Sequence, residues 1–237
     1  MNVEKRLVVA KYLEPNHKTN WVDLVFDSGV EVFMYDKSEN TIGNPHNTHV
    51  KEFLPNIGRE SHTYLYHIVK NYHNLKDIEI FSQADISDHV PNLVQIINDT
   101  NSSSFQFQEF PSRKKIICFN DSSYIKASSL NPADNFHDRG SSAFVFEASP
   151  GHKKIYELVY GEISTFEDFC FREFSCHAIF AVSKETIRKI PLHVYEKLLL
   201  LFDNSQDSFS TYSSISEYWA YEFEYMWNVI FCGPFKN

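Results

Sequence analysis

One stretch, from Leu54 to His89, constrains the fold more than any other. It reads as loop, helix, strand and polar cluster in immediate succession. Pro55 and Gly58 punctuate its entry. Tyr64, Leu65, Ile68, Val69 and Tyr72 then recur at helical spacing, so one face of a helix is buried. Ile78, Ile80 and Phe81 suit a buried strand, and Gln83, Asp85, Asp88 and His89 follow where that strand stops. In open α/β sheets ligands sit beyond the carboxyl ends of strands, which puts these four polar residues where a ligand would be held. Asn56, Arg59 and Glu60 fall at the start of the helix, where free backbone N–H groups favour an anion.

The rest of the chain extends the same alternation. Arg6 to Leu13 is a buried β-run, Asn20 to Phe26 a short helix capped by Asn20, and Val30 to Tyr35 a second strand. A helix near Asn92 to Asn98 follows the central strand. Strands are expected again at Lys115 to Phe119, Ala143 to Ala148, Ile155 to Tyr160 and Cys176 to Val182. Between the first two of these, residues 121–140 are rich in Ser, Asn and Asp and read as a long loop, either a functional lid or a surface insert. Ser183 caps one helix, Pro191 opens another, and Ser216 to Phe231 forms a terminal helix lined by Trp219, Phe223, Met226, Trp227 and Ile230. Such an order predicts a single α/β domain with a mostly parallel sheet over residues 1–237, without an internal linker.

Composition bounds the function. A net charge of −9 over 237 residues argues against a nucleic-acid binder, which would show a basic field. Four widely spaced cysteines without a CxxC pair read as reduced thiols, and no signal-peptide run or long apolar span is present, so a cytoplasmic setting is expected. A peripheral membrane association is left open. Neither a Walker loop, a Gly-x-Gly-x-x-Gly turn nor a Gly-x-Ser-x-Gly elbow occurs.

Four groups carry candidate chemistry. Asp85, with Asp88 and His89, could ligate a hard divalent cation that bridges diphosphate oxygens, or could simply cap a turn. Asn56, Gly58, Arg59 and Glu60 could seat a phosphate, or form a capped turn with a surface ion pair. The 11 histidines include no compelling metal spacing, and His177 reads as a satisfied core residue. Glu222 and Glu224 lie on the aromatic terminal helix, where a raised pKa would suit a base, or where they are merely solvated.

Four segments together resemble the domain-of-unknown-function family 3431: Leu7 to Tyr12 with Trp21, Asn56 to Leu75 with Ile80 to Asp85, Cys176 to Pro191, and Glu224 to Phe231. That family is similar to glycosyltransferases of the GT-A fold. The Asn56-x-Gly58-Arg59-Glu60 block is similar to one that opens a helix in bacterial rhamnan-type glycosyltransferases. The resemblance implies a GT-A-like domain, with a nucleotide-sugar-binding half at 1–100 and an acceptor half at 101–237. It implies transfer of a sugar from a nucleotide-sugar donor to a glycan or glycolipid acceptor. Glu14, Asp36, Asn56, Arg59 and Gln83 would bind the donor, Asp85 and Glu224 would be catalytic, and Asp85 and Asp88 would hold Mn²⁺ or Mg²⁺. Two departures stand out. Gln83 replaces the first acid of the Asp-x-Asp motif, and Asn228 stands where the family commonly has His. They favour the alternatives: a non-catalytic nucleotide- or glycan-binding domain, or an unrelated metal-dependent hydrolase or nucleotidyltransferase.

Overall fold

The computed structural model describes residues 3–38, 49–87, 89–100, 105–109, 114–118, 145–147, 149–161, 172–175, 178–203 and 214–232. Its centre is a six-stranded sheet. β1 (Lys5–Lys11) lies between β2 (Glu31–Asp36) and β4 (Ile78–Gln83), and is parallel to both. β3 (Val50–Phe53) continues the parallel set beyond β2. On the other side β9 (Phe180–Ser183) pairs antiparallel with β4, and β5 (Phe107–Glu109) pairs with β9 at the edge. The expectation of a mostly parallel sheet holds for the four strands that form the candidate site. A second sheet contains β6 (Lys114–Cys118), between β7 (Val145–Glu147) and β8 (Arg172–Ser175).

The period-two pattern of β1 creates two cores. Val8 and Ala10 face one cluster, while Leu7 and Val9 face the other. The first face is covered by α3 (Arg59–Asn71), α5 (Pro150–Tyr160), α7 (Leu192–Leu199) and α8 (Ile215–Cys232). α2 (Trp21–Asp27) and α4 (Leu93–Asp99) cover the second. Strands buried on both faces explain the near-continuous apolar runs of β1 and β4. The five aromatic and aliphatic residues expected to line one side of α8 are all buried.

Several expectations need correction. Residues 155–160 are not a strand but part of α5. Ser149 caps that helix, its Oγ accepting from the His152 N–H while His152 Nδ1 accepts from the Ser149 N–H, and Pro150 follows at the first helical position. The expected helix at 20–26 is present as α2 with Asn20 in the N-cap position, but the Asn20 side chain makes no cap bond, and a short helix, α1 (Asn16–Thr19), precedes it. β3 was not expected at all. The strand at Cys176 begins only at Phe180, after a left-handed Ala178 (φ 44°). Cys176, His177 and the expected loop at 121–140 lie outside the described residues. Ser183 caps α6 (Lys184–Arg188) as expected, accepting from the Thr186 N–H at 3.1 Å.

A buried polar network ties the layers together. Arg6, 1% exposed, donates from Nη1 to Glu79 Oε1 at 3.2 Å and from Nε to Glu31 Oε2 at 2.7 Å. The other Glu79 oxygen lies 3.2 Å from His67 Nε2, and His67 Nδ1 lies 3.0 Å from the Tyr35 hydroxyl. Each buried charge thus has a partner, the condition under which such groups are tolerated. Among the described residues no helix is long and apolar enough to cross a membrane.

Candidate functional site

Strand order alone locates the site. From β1 the chain passes to β2 and β3 on one side, then crosses back to β4 on the other. Loops leaving β1 and β4 therefore diverge, opening a crevice at their carboxyl ends. The register brings Lys11 level with Asp36, and Ala10 level with Gln83. A pocket of about 390 Å³ lies there, lined by Ala10, Lys11, Tyr12, Glu14, Lys37, Asn56, Arg59, Glu60, Gln83, Asp85 and His89.

Seven residues singled out in the sequence meet in this wall: Glu14, Asn56, Arg59, Glu60, Gln83, Asp85 and His89. Glu14 is half-buried, accepts from the Tyr12 N–H, and has its pKa raised by burial. Arg59 lies with its guanidinium carbon 5.1 Å from the centre of the Tyr221 ring, a cation–π contact. Glu60, whose carboxylate is 3.8 Å from Arg59 Nε, is the first cause of a raised Arg59 pKa, with Tyr221 and Glu224 adding to it. Gln83 donates its amide to the Asp85 carbonyl at 3.1 Å.

Asp85 is held in place rather than left free. Its Oδ1 accepts from the Ser87 hydroxyl at 2.6 Å and the Ser87 N–H at 3.0 Å, and its Oδ2 lies 3.1 Å from Lys18 Nζ. The Ser87 bonds first, and then Lys18, lower its pKa to about 2. These partners favour its ionised form. Asp88, the other expected metal ligand, lies outside the described residues. Among the described residues no group of three His, Cys, Asp or Glu side chains could hold a metal. With both Asp85 oxygens engaged and an amide at Gln83, the described donors do not make up a cation site.

Two expected residues are placed elsewhere. Asp36 is buried under the pocket, with Oδ2 accepting from Lys11 Nζ at 2.7 Å and Oδ1 accepting from the Ser38 N–H at 2.8 Å. It acts by positioning Lys11, which does line the wall. Glu224 is not a lining residue; it lies on α8, close enough to Arg59 to favour the guanidinium charge. The carboxyl on α8 with a strongly raised pKa is instead Glu222, pushed up to about 7 by burial. It accepts from the Ser149 hydroxyl on the α5 side of the helix, outside the pocket wall.

Lys37, like Lys11 and Tyr12, is a lining residue that sequence reasoning missed. It follows β2 directly, is 2% exposed, and donates from Nζ to the carbonyls of Ile57, at 2.5 Å, and Arg59. Its backbone N–H also donates to the Lys11 carbonyl at 2.8 Å, so the loops after β1 and β2 are bonded to each other. Those side-chain bonds fix the turn through Gly58 (φ 60°) and Arg59 (φ 46°), both left-handed, which leads into α3. A lysine after a strand ordinarily reads as a solvated end, so nothing in the sequence marked it.

No curated protein and no solved structure matches the chain. One family model does, over residues 7–236, under the description protein of unknown function (DUF3431). Its span takes in both sheets and every residue of the pocket wall, and the chain belongs to that family.

Proposed function

We propose that the chain is a glycosyltransferase with a GT-A-like fold, moving a sugar from a nucleotide-sugar donor to a glycan or glycolipid acceptor. The observation that carries this reading is the convergence of Glu14, Asn56, Arg59, Gln83 and Asp85 on one pocket at the carboxyl ends of β1 and β4. A site of about 390 Å³, lined by Lys11, Lys37 and Arg59 together with Glu14, Glu60 and Asp85, suits a ligand that joins a diphosphate to a polyhydroxylated ring. In this reading Asn56 and Arg59 hold the ribose and diphosphate, and Asp85 and Gln83 hydrogen-bond the donor sugar. Charge that develops on the leaving diphosphate is met by fixed N–H donors and cations. Glu14 is better placed than Glu224 to take the proton of the acceptor hydroxyl. It lines the pocket, and its raised pKa makes it the stronger base of the two wall carboxylates whose shifts are defined. A cytoplasmic setting belongs to the same proposal.

Gln83 favours a second reading, a binding domain that keeps the pocket without the reaction, because an amide there bonds to the backbone where the resemblance expects a carboxylate. A panel of nucleotide-sugars separates the two. The transferase releases free nucleotide in the presence of acceptor glycans, and Asp85→Ala abolishes release while leaving the protein folded. A binding domain gives a thermal shift with a nucleotide and no release. If no nucleotide or nucleotide-sugar shifts the melting temperature, both readings fail.

A further inference from the structure

The pocket contains one buried charge whose structural bonds go only to carbonyls. Lys37 is almost wholly buried, yet no carboxylate among the described residues forms an ion pair with its Nζ. The contrast with Lys11 is direct, since that ammonium lies 2.7 Å from Asp36. Two of the three Lys37 N–H donors reach carbonyls, leaving one unassigned. Burial without a counter-charge is costly, and it lowers the Lys37 pKa to about 7 against a smaller opposing influence of Glu60.

The groups around Lys37 define what would balance it. The two carbonyls it grips belong to the turn that opens α3, a helix of 13 residues. Gly58 caps that helix without a side-chain hydrogen bond, so the first-turn N–H groups have no partner supplied by a cap. Asn56, Arg59 and Glu60 from the same turn line the pocket beside Lys37. Glu60 is the one acid of that turn, and Arg59 lies against it. A buried ammonium held only by carbonyls, with no carboxylate partner among the described residues, therefore shares one wall with a helix N-terminus that no side chain caps, and both attract an anion with several acceptor oxygens.

We propose that Lys37 and the first turn of α3 seat the diphosphate of the donor, with Lys37 supplying the positive charge that the family resemblance would assign to a divalent metal. The assignment rests on the transferase reading for the identity of the ligand, and on the pocket geometry for the seat itself. Neutralisation comes from within the chain. Lys37 is a binding residue here, since it would touch the phosphate oxygens, and no covalent step is assigned to it.

Inorganic pyrophosphate is the probe. Calorimetry in EDTA should give binding to the protein, weakened at least tenfold in Lys37→Met and largely retained in Lys37→Arg. Binding that vanishes in EDTA and returns with Mn²⁺, or that is within twofold of wild type in Lys37→Met, overturns the proposal. Should the methionine variant not fold, competitive acetylation of the native protein decides. Limiting acetic anhydride should label Lys37 several-fold less when pyrophosphate is bound, with exposed Lys70 as the internal reference, and equal labelling refutes the seat. The two readings fail separately. Pyrophosphate binding through Lys37 with no turnover of any nucleotide-sugar removes the transferase and keeps the seat. Turnover that needs Mn²⁺ and is indifferent to Lys37→Met does the reverse.

Discussion

Gly58→Ala tests how the turn before α3 is built. Gly58 has φ 60° and ψ 22°, a left-handed conformation that costs an L-residue with a Cβ about 1–2 kcal/mol. The new methyl would also fall within the Phe202 ring, against Cδ1 and Cε1, and 2.8 Å from His62 Cβ. Phe202 is 4% exposed and stacked on Phe223 with centroids 5.5 Å apart, so moving the ring disturbs that packing. Overpacking of this kind adds about 1–3 kcal/mol. The loss of chain freedom in the unfolded state returns about 0.4–1 kcal/mol. The net destabilisation is about 1–5 kcal/mol, and for a domain of this size each kcal/mol lowers Tm by about 2–4 °C. Gly29→Ala is the internal control. Gly29 has φ 88°, but a methyl there meets nothing within 4 Å, so only the backbone contribution remains. Thermal and urea unfolding of both variants should place Gly58→Ala clearly below Gly29→Ala, with pyrophosphate binding weakened in the former alone. Equal stability of the two would refute the account of the turn.

Two further perturbations probe the buried polar groups. Glu222 has its pKa raised from 4.5 to about 7, so the folded state holds a proton that the unfolded state has released between those values. Its contribution is fully present below pH 4.5 and is lost as pH rises through about 7, an effect of at most about 3 kcal/mol. His152, lowered from 6.5 to about 3 by burial, works in the opposite sense and loses its contribution as pH falls through that window. Urea melts of wild type and Glu222→Gln from pH 4.5 to 8.5 should therefore diverge, the variant gaining relative stability as pH rises; parallel curves would remove the buried-carboxyl argument. Glu79→Ala leaves the buried Arg6 and His67 facing a gap, a change that costs about 3–5 kcal/mol when one member of a buried ion pair is removed. Differential scanning calorimetry should record a fall in Tm of about 6–20 °C, and a fall under about 2 °C would mean the network contributes little.

The elements that the sequence made readable are those with one clear period or one clear cap. α3 follows from the spacing of Tyr64, Leu65 and Ile68, all fully buried, and β1 from an apolar run buried on both faces. Ser183 capped its helix as its position suggested. α5 was misread because Ile155, Tyr156 and Val159 also fit a short apolar strand, and the better signal lay upstream at Ser149 and Pro150. β3 escaped because Val50–Phe53 is half-exposed, with charged Lys51 and Glu52, and is a strand only through its pairing with β2. The antiparallel placement of β9 beside β4 is set by a long-range pairing that no local pattern encodes.

The site divides along the same physical line. Glu14, Asn56, Arg59, Gln83 and Asp85 were legible because polar residues after buried strands and before helices have few structural reasons to be there. Asp36 met the same criterion yet lies beneath the wall, since its oxygens are taken by Lys11 and Ser38. Lys37 failed the criterion and lies in the wall. The difference between these neighbours is burial combined with pairing. Adjacent residues at a strand end point to opposite sides, and the register Lys11↔Asp36 gives the acid its cation. Lys37 is turned instead toward the carbonyls of Ile57 and Arg59, which no carboxylate among the described residues supplements. A protein of net charge −9 would repel a diphosphate at long range, and Glu14, Glu60 and Asp85 line the pocket itself, so the opposing attraction has to come from Lys11, Lys37, Arg59 and backbone donors in direct contact. Anion recognition in such a chain has to be built from short-range donors, and the turn that Lys37 holds together is where the fold provides them.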